Sequence, residues 1–80
     1  MAGLQSVSSK SSTMVSFGQG AHDVYRFAVI YNRLLAYGSP LVSKFEAVSV
    51  PTANARFPIP GAAVELTSEE RDLVSSMDVE

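Results

Sequence analysis

From Ala21 to Tyr37, apolar residues fall on nearly every side of a helical projection. At about 100° per residue, Val24, Phe27, Ala28, Tyr31, Leu34 and Leu35 form one broad stripe. Ile30 and Tyr37 widen it to roughly half of the circumference. Tyr25, Val29 and Ala36 fall on the opposite face, relieved only by Arg26, Asn32 and Arg33. The pattern predicts a helix over 21–37. Gly20 stands at its N-cap, and Asp23, at the third helical position, suits the positive end of the dipole. Gly38 and Pro40 stop it, because glycine accepts left-handed backbone at C′ and proline cannot continue a helix. A helix that is apolar on two sides wants cover on both, and a short chain provides it for one. A protein partner or a second copy is the first expectation.

The flanking segments carry weaker patterns. Residues 1–20 begin with a serine-rich run, Leu4 to Thr13, too polar to bury a core of its own. Val15 and Phe17 alternate, which allows a short strand over 13–17 before Gly18-Gln19-Gly20 breaks the chain. An extended N-terminal arm over 1–20 is expected, of the kind that orders on a neighbour by adding a strand. Ser39-Pro40 reads as N-cap and first-turn proline of a second helix, 40–48, with Leu41, Phe45 and Val48 at helical spacing. Val48-Ser49-Val50 alternates, so 41–50 also admits a strand. Pro51, Pro58 and Pro60 each remove a backbone donor, and an irregular segment is expected over 51–61. In it, Phe57 and Ile59 are two apolar anchors on a stiff extended strip. Thr67-Ser68-Glu69-Glu70 fits a capping box for a C-terminal helix over 68–77. Its apolar stripe is Leu73, Val74 and Met77, while Asp78 and Glu80 stand at the unfavourable end of its dipole as solvated surface. The sum is a mainly α protein: a single small helical domain over 21–80 behind an extended arm.

Composition narrows the function classes. Eighty residues make one domain at most, at the edge of independent stability. Without cysteine there is neither a disulfide framework nor a thiolate metal site, and one histidine excludes His-based metal clusters. The remaining way to stabilise so small a body is association. Charged residues make up 18% of the chain against 46% hydrophobic, a balance that suits a buried subunit better than a free monomer. Six basic residues against eight acidic ones disfavour nucleic-acid binding by charge alone. The apolar run from Phe27 is broken at Asn32 and Arg33, well short of a membrane span. A polar face poor in Lys and Arg disfavours surface attachment as well. No secretory or lipidation signal is read at either end, so a non-secreted protein is expected, in a virion or the cytoplasm.

No constellation for chemistry emerges. His22 is the only base of its kind, and the serines cluster where nothing fixes their geometry. His22-Asp23 reads as a local arrangement at a helix start. Glu69, Glu70 and Asp72 share an exposed first turn, which is capping rather than acid–base catalysis. Gly18-Gln19-Gly20 lacks the later glycine of a dinucleotide loop. No cofactor, metal or small-molecule substrate is expected, and no enzyme. Arg26 and Arg33 share a helix face and serve either as rim residues or as contacts to an acidic patch on a partner.

The expected function is therefore that of a non-enzymatic structural or accessory subunit of a multi-subunit assembly. Minor coat, cement or connector proteins of virions are the analogy. The alternative is a small soluble adaptor or inhibitor that docks its central helix on a target. The candidate partner interface comprises Tyr25, Phe27, Val29, Tyr31, Arg33, Leu34 and Leu35, with Phe57 and Ile59. Which face of the helix turns to the partner is open. If it is the Val29 side, Val29→Asp is expected to abolish assembly while circular dichroism retains the helix. Wild-type assembly by that variant excludes the Val29 side.

Overall fold

Between Ala62 and Leu66 the chain alternates: Ala62, Val64 and Leu66 are buried, while Ala63 is half-buried and Glu65 exposed. Period-two burial is the mark of a strand with one face on a core. The structure, a computed structural model, describes residues 12–79. Its elements run β1 (Ser12–Ser16), α1 (Ala21–Tyr37), α2 (Val42–Ala47), β2 (Ser49–Pro51), β3 (Arg56–Pro58), β4 (Ala63–Thr67) and α3 (Ser68–Met77). β1 pairs antiparallel with β4, from Ser12 opposite Thr67 to Ser16 opposite Ala63. β2 pairs antiparallel with β3 in a separate two-stranded sheet.

The chain is thus a small α+β protein and not a mainly α one: the described residues are 49% helical and 24% strand, with two antiparallel sheets among them. Two features hid the strands. Residues 62–66 are Ala, Ala, Val, Glu and Leu, mostly good helix formers whose pairing is decided by tertiary contact. In the proline-rich segment, the prolines fall where a ladder can spare them. Ile59 N–H donates to Val48 O and Thr52 N–H to Ala55 O. By antiparallel alternation the hydrogen-bonded pair between them is Val50–Phe57, which leaves Ser49–Pro58 and Pro51–Arg56 as the non-bonded pairs. Neither Pro51 nor Pro58 removes a ladder bond, so residues expected to be irregular form a hairpin.

Its turn is closed by the Thr52 hydroxyl, which accepts from Ala55 N–H at 3.0 Å. Pro60 and Gly61 then make the turn into β4: Ala62 N–H donates to Ile59 O at 2.9 Å. Gly61, at φ 75°, takes the left-handed third position that a type II turn demands.

The helices follow the sequence more closely. α1 spans 21–37, capped by Gly20 and closed by Gly38 at φ 82°, whose N–H bonds back to Leu34 and Leu35 carbonyls. α2 is shorter than the 40–48 expected, with Leu41 N–H held by Ser39 Oγ at 3.1 Å. Residues 49–51 are strand, so each reading of 41–50 describes part of it. α3 carries the expected capping box: Thr67 Oγ1 accepts from Glu70 N–H, and Glu70 Oε1 accepts from Thr67 N–H. The Thr67 backbone N–H and the nearby Lys44 ammonium hold the Glu70 carboxyl below its ordinary pKa.

β1 and Phe17, expected in an extended arm, belong to the folded unit; residues 1–11, the rest of that arm, and Glu80 lie outside the described residues. Phe17 N–H continues the β1–β4 ladder to Ala62 O at 3.0 Å. Its ring meets Phe27 of α1 at 5.1 Å and Phe45 of α2 at 6.0 Å, and Phe27 and Phe45 stand 5.2 Å apart. These are edge and tilted contacts of the favourable kind. Around them pack Ile30, Leu34, Leu41, Val64, Leu66 and Val74.

Phe45 is fully buried and Phe57 is 45% exposed, which gives a paired test. Phe45→Ala is expected to lose about 3–5 kcal/mol, whereas Phe57→Ala is expected to lose under about 1 kcal/mol. Urea unfolding followed by circular dichroism measures both.

Candidate protein interface

The residues expected to meet a partner divide sharply. Phe27, Tyr31 and Leu34 lie inside the chain's own core. The structure therefore commits the broad stripe of α1 to the chain's own core, and α1 packs on β3, α3 and α2. Tyr25 and Leu35 are more than half exposed, Val29 is half-buried, and Phe57 and Ile59 are exposed.

Arg33, seen from sequence as a contact to a partner's acidic patch, is used within the chain. Its Nη1 donates to Met77 O at 3.0 Å, which satisfies a carbonyl at the C-terminal end of α3. Arg26 has the same destination. Its guanidinium donates from Nε and Nη2 to the Asp78 carboxylate, the closest bond 2.8 Å, and lies over the Phe17 ring at 5.3 Å. Asp23 stands 3.7 Å from its Nη1. Asp78, expected as solvated surface at an unfavourable helix end, is instead the anchor of α3 on α1. The Arg26 hydrogen bonds hold its carboxyl below the ordinary aspartate pKa, against the opposing effect of burial. Arg26 is shifted up by the same pair.

Besides Met14 on β1 and Tyr37 at the end of α1, the large apolar residues that the fold leaves exposed lie in two places. The first is the β2–β3 hairpin. Its inner face packs on α1 through Pro58, fully buried, and Arg56, whose guanidinium stacks on the Tyr31 ring at 5.6 Å. Gln19 Nε2 donates to Pro58 O at 3.1 Å and ties β3 to the loop before α1. The outer face carries Val50 opposite Phe57, with Ile59 two residues along the same side. These three are 49%, 45% and 38% exposed. Val50 was missed from sequence because its place opposite Phe57 depends on a hairpin the prolines concealed. The second place is the outer side of α1, around Tyr25 and Leu35.

A groove of about 400 Å³ follows the outer edge of β4, where Lys44 Nζ donates to Glu65 O at 2.9 Å. Another of about 320 Å³ lies at the end of α1, between Tyr37 and Leu73. In the first groove the Ser12 hydroxyl donates to Glu65 Oε2 at 2.7 Å, an exposed pair across the β1–β4 ladder. No group of three or more metal-ligating side chains occurs among the described residues, and none of their helices is long and apolar enough to cross a membrane. Compared with protein-family models, characterised proteins and solved structures, the chain matches none.

The Arg26–Asp78 pair carries a pH signature. A carboxyl whose pKa is lowered on folding adds stability above its unfolded pKa, about 3.9, and that stability is lost as pH falls through the folded value. Asp78→Asn is expected to cost about 1 kcal/mol at neutral pH, the upper range for a pair near the surface. The cost should shrink below pH 4. Thermal melts of both proteins from pH 2 to 7 measure the difference.

Proposed function

We propose that this chain is a non-enzymatic association subunit of a larger protein assembly, docking through the outer face of the β2–β3 hairpin. One observation carries the reading: Val50, Phe57 and Ile59 form an apolar strip on the solvent side of a hairpin whose other side is already packed. The fold does not need them there. Pro51, Pro58 and Pro60, with a turn pinned by Thr52, keep the strip stiff, so little freedom is lost when it docks. An uncharged strip centred on an aromatic residue matches the buried core of interfaces, which is depleted of charge and enriched in aromatics.

The adaptor or inhibitor reading has its own support. The core closes within the chain, and no buried side-chain polar atom among the described residues lacks a partner, so the protein does not need an assembly in order to fold. Stoichiometry separates the two. A particle component, whether coat, cement or connector, sits among many copies and neighbours; an adaptor meets one target.

A photoreactive benzoyl-phenylalanine at position 57, in cells that make the protein, tests the proposal. Discrete cross-linked species are expected from position 57 and none from the exposed position Glu69. A ladder of products supports the assembly subunit, and a single product the adaptor. Labelling at 57 no greater than at 69 contradicts both.

A further inference from the structure

Each strand of a two-stranded sheet has an edge turned away from its partner, and an open edge is a template for another strand. The edges of β1, β2, β3 and β4 differ in what stands on them. Phe17 N–H donates to Ala62 O, so by antiparallel alternation Val15–Val64 and Thr13–Leu66 are the hydrogen-bonded pairs of the β1–β4 ladder. Ala63, Glu65 and Thr67 therefore turn their backbone groups to the outer edge of β4. There Lys44 Nζ donates to Glu65 O at 2.9 Å, and Thr67 N–H donates to Glu70 Oε1 at 3.0 Å. The outer edge of β2 presents Pro51, which has no donor, and Ser49 O, which accepts from Arg56 Nη1 at 3.3 Å. That of β3 presents Pro58, whose carbonyl accepts from Gln19 Nε2. A charge, a cap or a proline blunts all three.

The outer edge of β1 has none of these devices. Ser12, Met14 and Ser16 turn their N–H and C=O groups away from β4, and those groups have no partner among the described residues. All three residues are exposed, Met14 at 58%. We propose that this edge pairs antiparallel with the same edge of a second copy, about a two-fold axis at Met14, so that the two β1–β4 sheets become one.

The choice of a second copy comes from the composition and symmetry of the strand. Self-pairing sets Met14 opposite the partner's Met14, Ser12 opposite the partner's Ser16, and Thr13 opposite the partner's Val15. β1 reads Ser, Thr, Met, Val, Ser, with no charge, so no like charges meet across the axis. In this register Ser12, Met14 and Ser16 all fall in hydrogen-bonded pairs, and every open backbone group of the edge is used. Met14, the large apolar side chain that the fold leaves bare on β1, is covered by its own counterpart. The strand is about 17 Å long, and its pairing buries less than the roughly 800 Å² per partner of a standard interface. The dimer is correspondingly weak, with a dissociation constant on the order of 100 μM, and is strengthened where an assembly already holds copies close.

The pairing rests on the association reading but uses a different surface from the hairpin strip. Sedimentation equilibrium and residue-resolved amide exchange of the full chain, at about 10 μM and about 1 mM to bracket that constant, test it together. The mass is expected to rise from 8.5 kDa towards twice that value, while exchange at Met14 and Ser16 slows several-fold. Met14→Pro removes an N–H that faces away from β4 and costs the ladder no bond. It is expected to abolish association with an unchanged circular dichroism spectrum. Met14→Lys keeps that N–H but sets like charges together at the axis, and is expected to weaken association at least tenfold. A wild type that stays monomeric throughout overturns the second copy. So does a dimer whose Met14 and Ser16 amides exchange as fast as the monomer's, or association of both variants like wild type. Position-57 cross-links that persist in Met14→Pro leave the hairpin reading standing even if the edge fails, and their absence from the wild type contradicts that reading alone.

Discussion

Three phenylalanines hold this protein together. Phe17 follows β1, Phe27 lies in α1 and Phe45 in α2, and their rings meet within 6.0 Å of one another. Each ties its element to the same core. β1 is five residues long and mostly exposed, and α2 has fewer than two turns. Short elements like these are unstable alone. The trio makes their burial cooperative: removing one ring exposes the other two and frees the ladder to β4 that Phe17 extends. In a chain of eighty residues, with little surface to bury, such concentration of aromatic area replaces a disulfide or a metal.

The trio also decides what is left outside. Once β3, α2 and α3 pack on α1 and the core closes over the Phe27–Leu34 stripe, α1 keeps an exposed side around Tyr25 and Leu35. The chain's cations are then drawn inward to finish the packing. Arg26 and Arg33 both reach the end of α3, where unsatisfied carbonyls and Asp78 need positive charge. Their use there leaves the outer surface of α1 nearly neutral and the hairpin strip wholly apolar. An outer surface of low charge follows from the way the fold satisfies itself.

How much of this was legible from sequence depends on how local each signal is. α1 and α3 were readable to the residue, because Gly38 and the Thr67–Glu70 box act within one turn. Phe57 and Ile59 were readable as neighbours on an extended strip, since proline fixes the backbone around them, and the structure leaves both exposed. The sheets were not. β4 is built from helix-favouring residues, and its partner strand lies about fifty positions earlier. The β2–β3 hairpin depends on which strand positions its prolines occupy, a matter of register that composition does not contain. The inner α1 residues Phe27, Tyr31 and Leu34 looked available to a partner for the same reason: the strands that cover them were unseen. Arg33 looked free because its acceptors lie at the other end of the chain.

The central claim is that the isolated chain closes an α+β core by itself and holds the hairpin in one register. Amide hydrogen exchange on the dilute, isolated protein tests it most directly. The account requires slow exchange at Val64 and Leu66 with fast exchange at Glu65 between them, and slow exchange at Val50 and Phe57. Protection confined to α1 and α3, with all five of these amides exchanging freely, would contradict it.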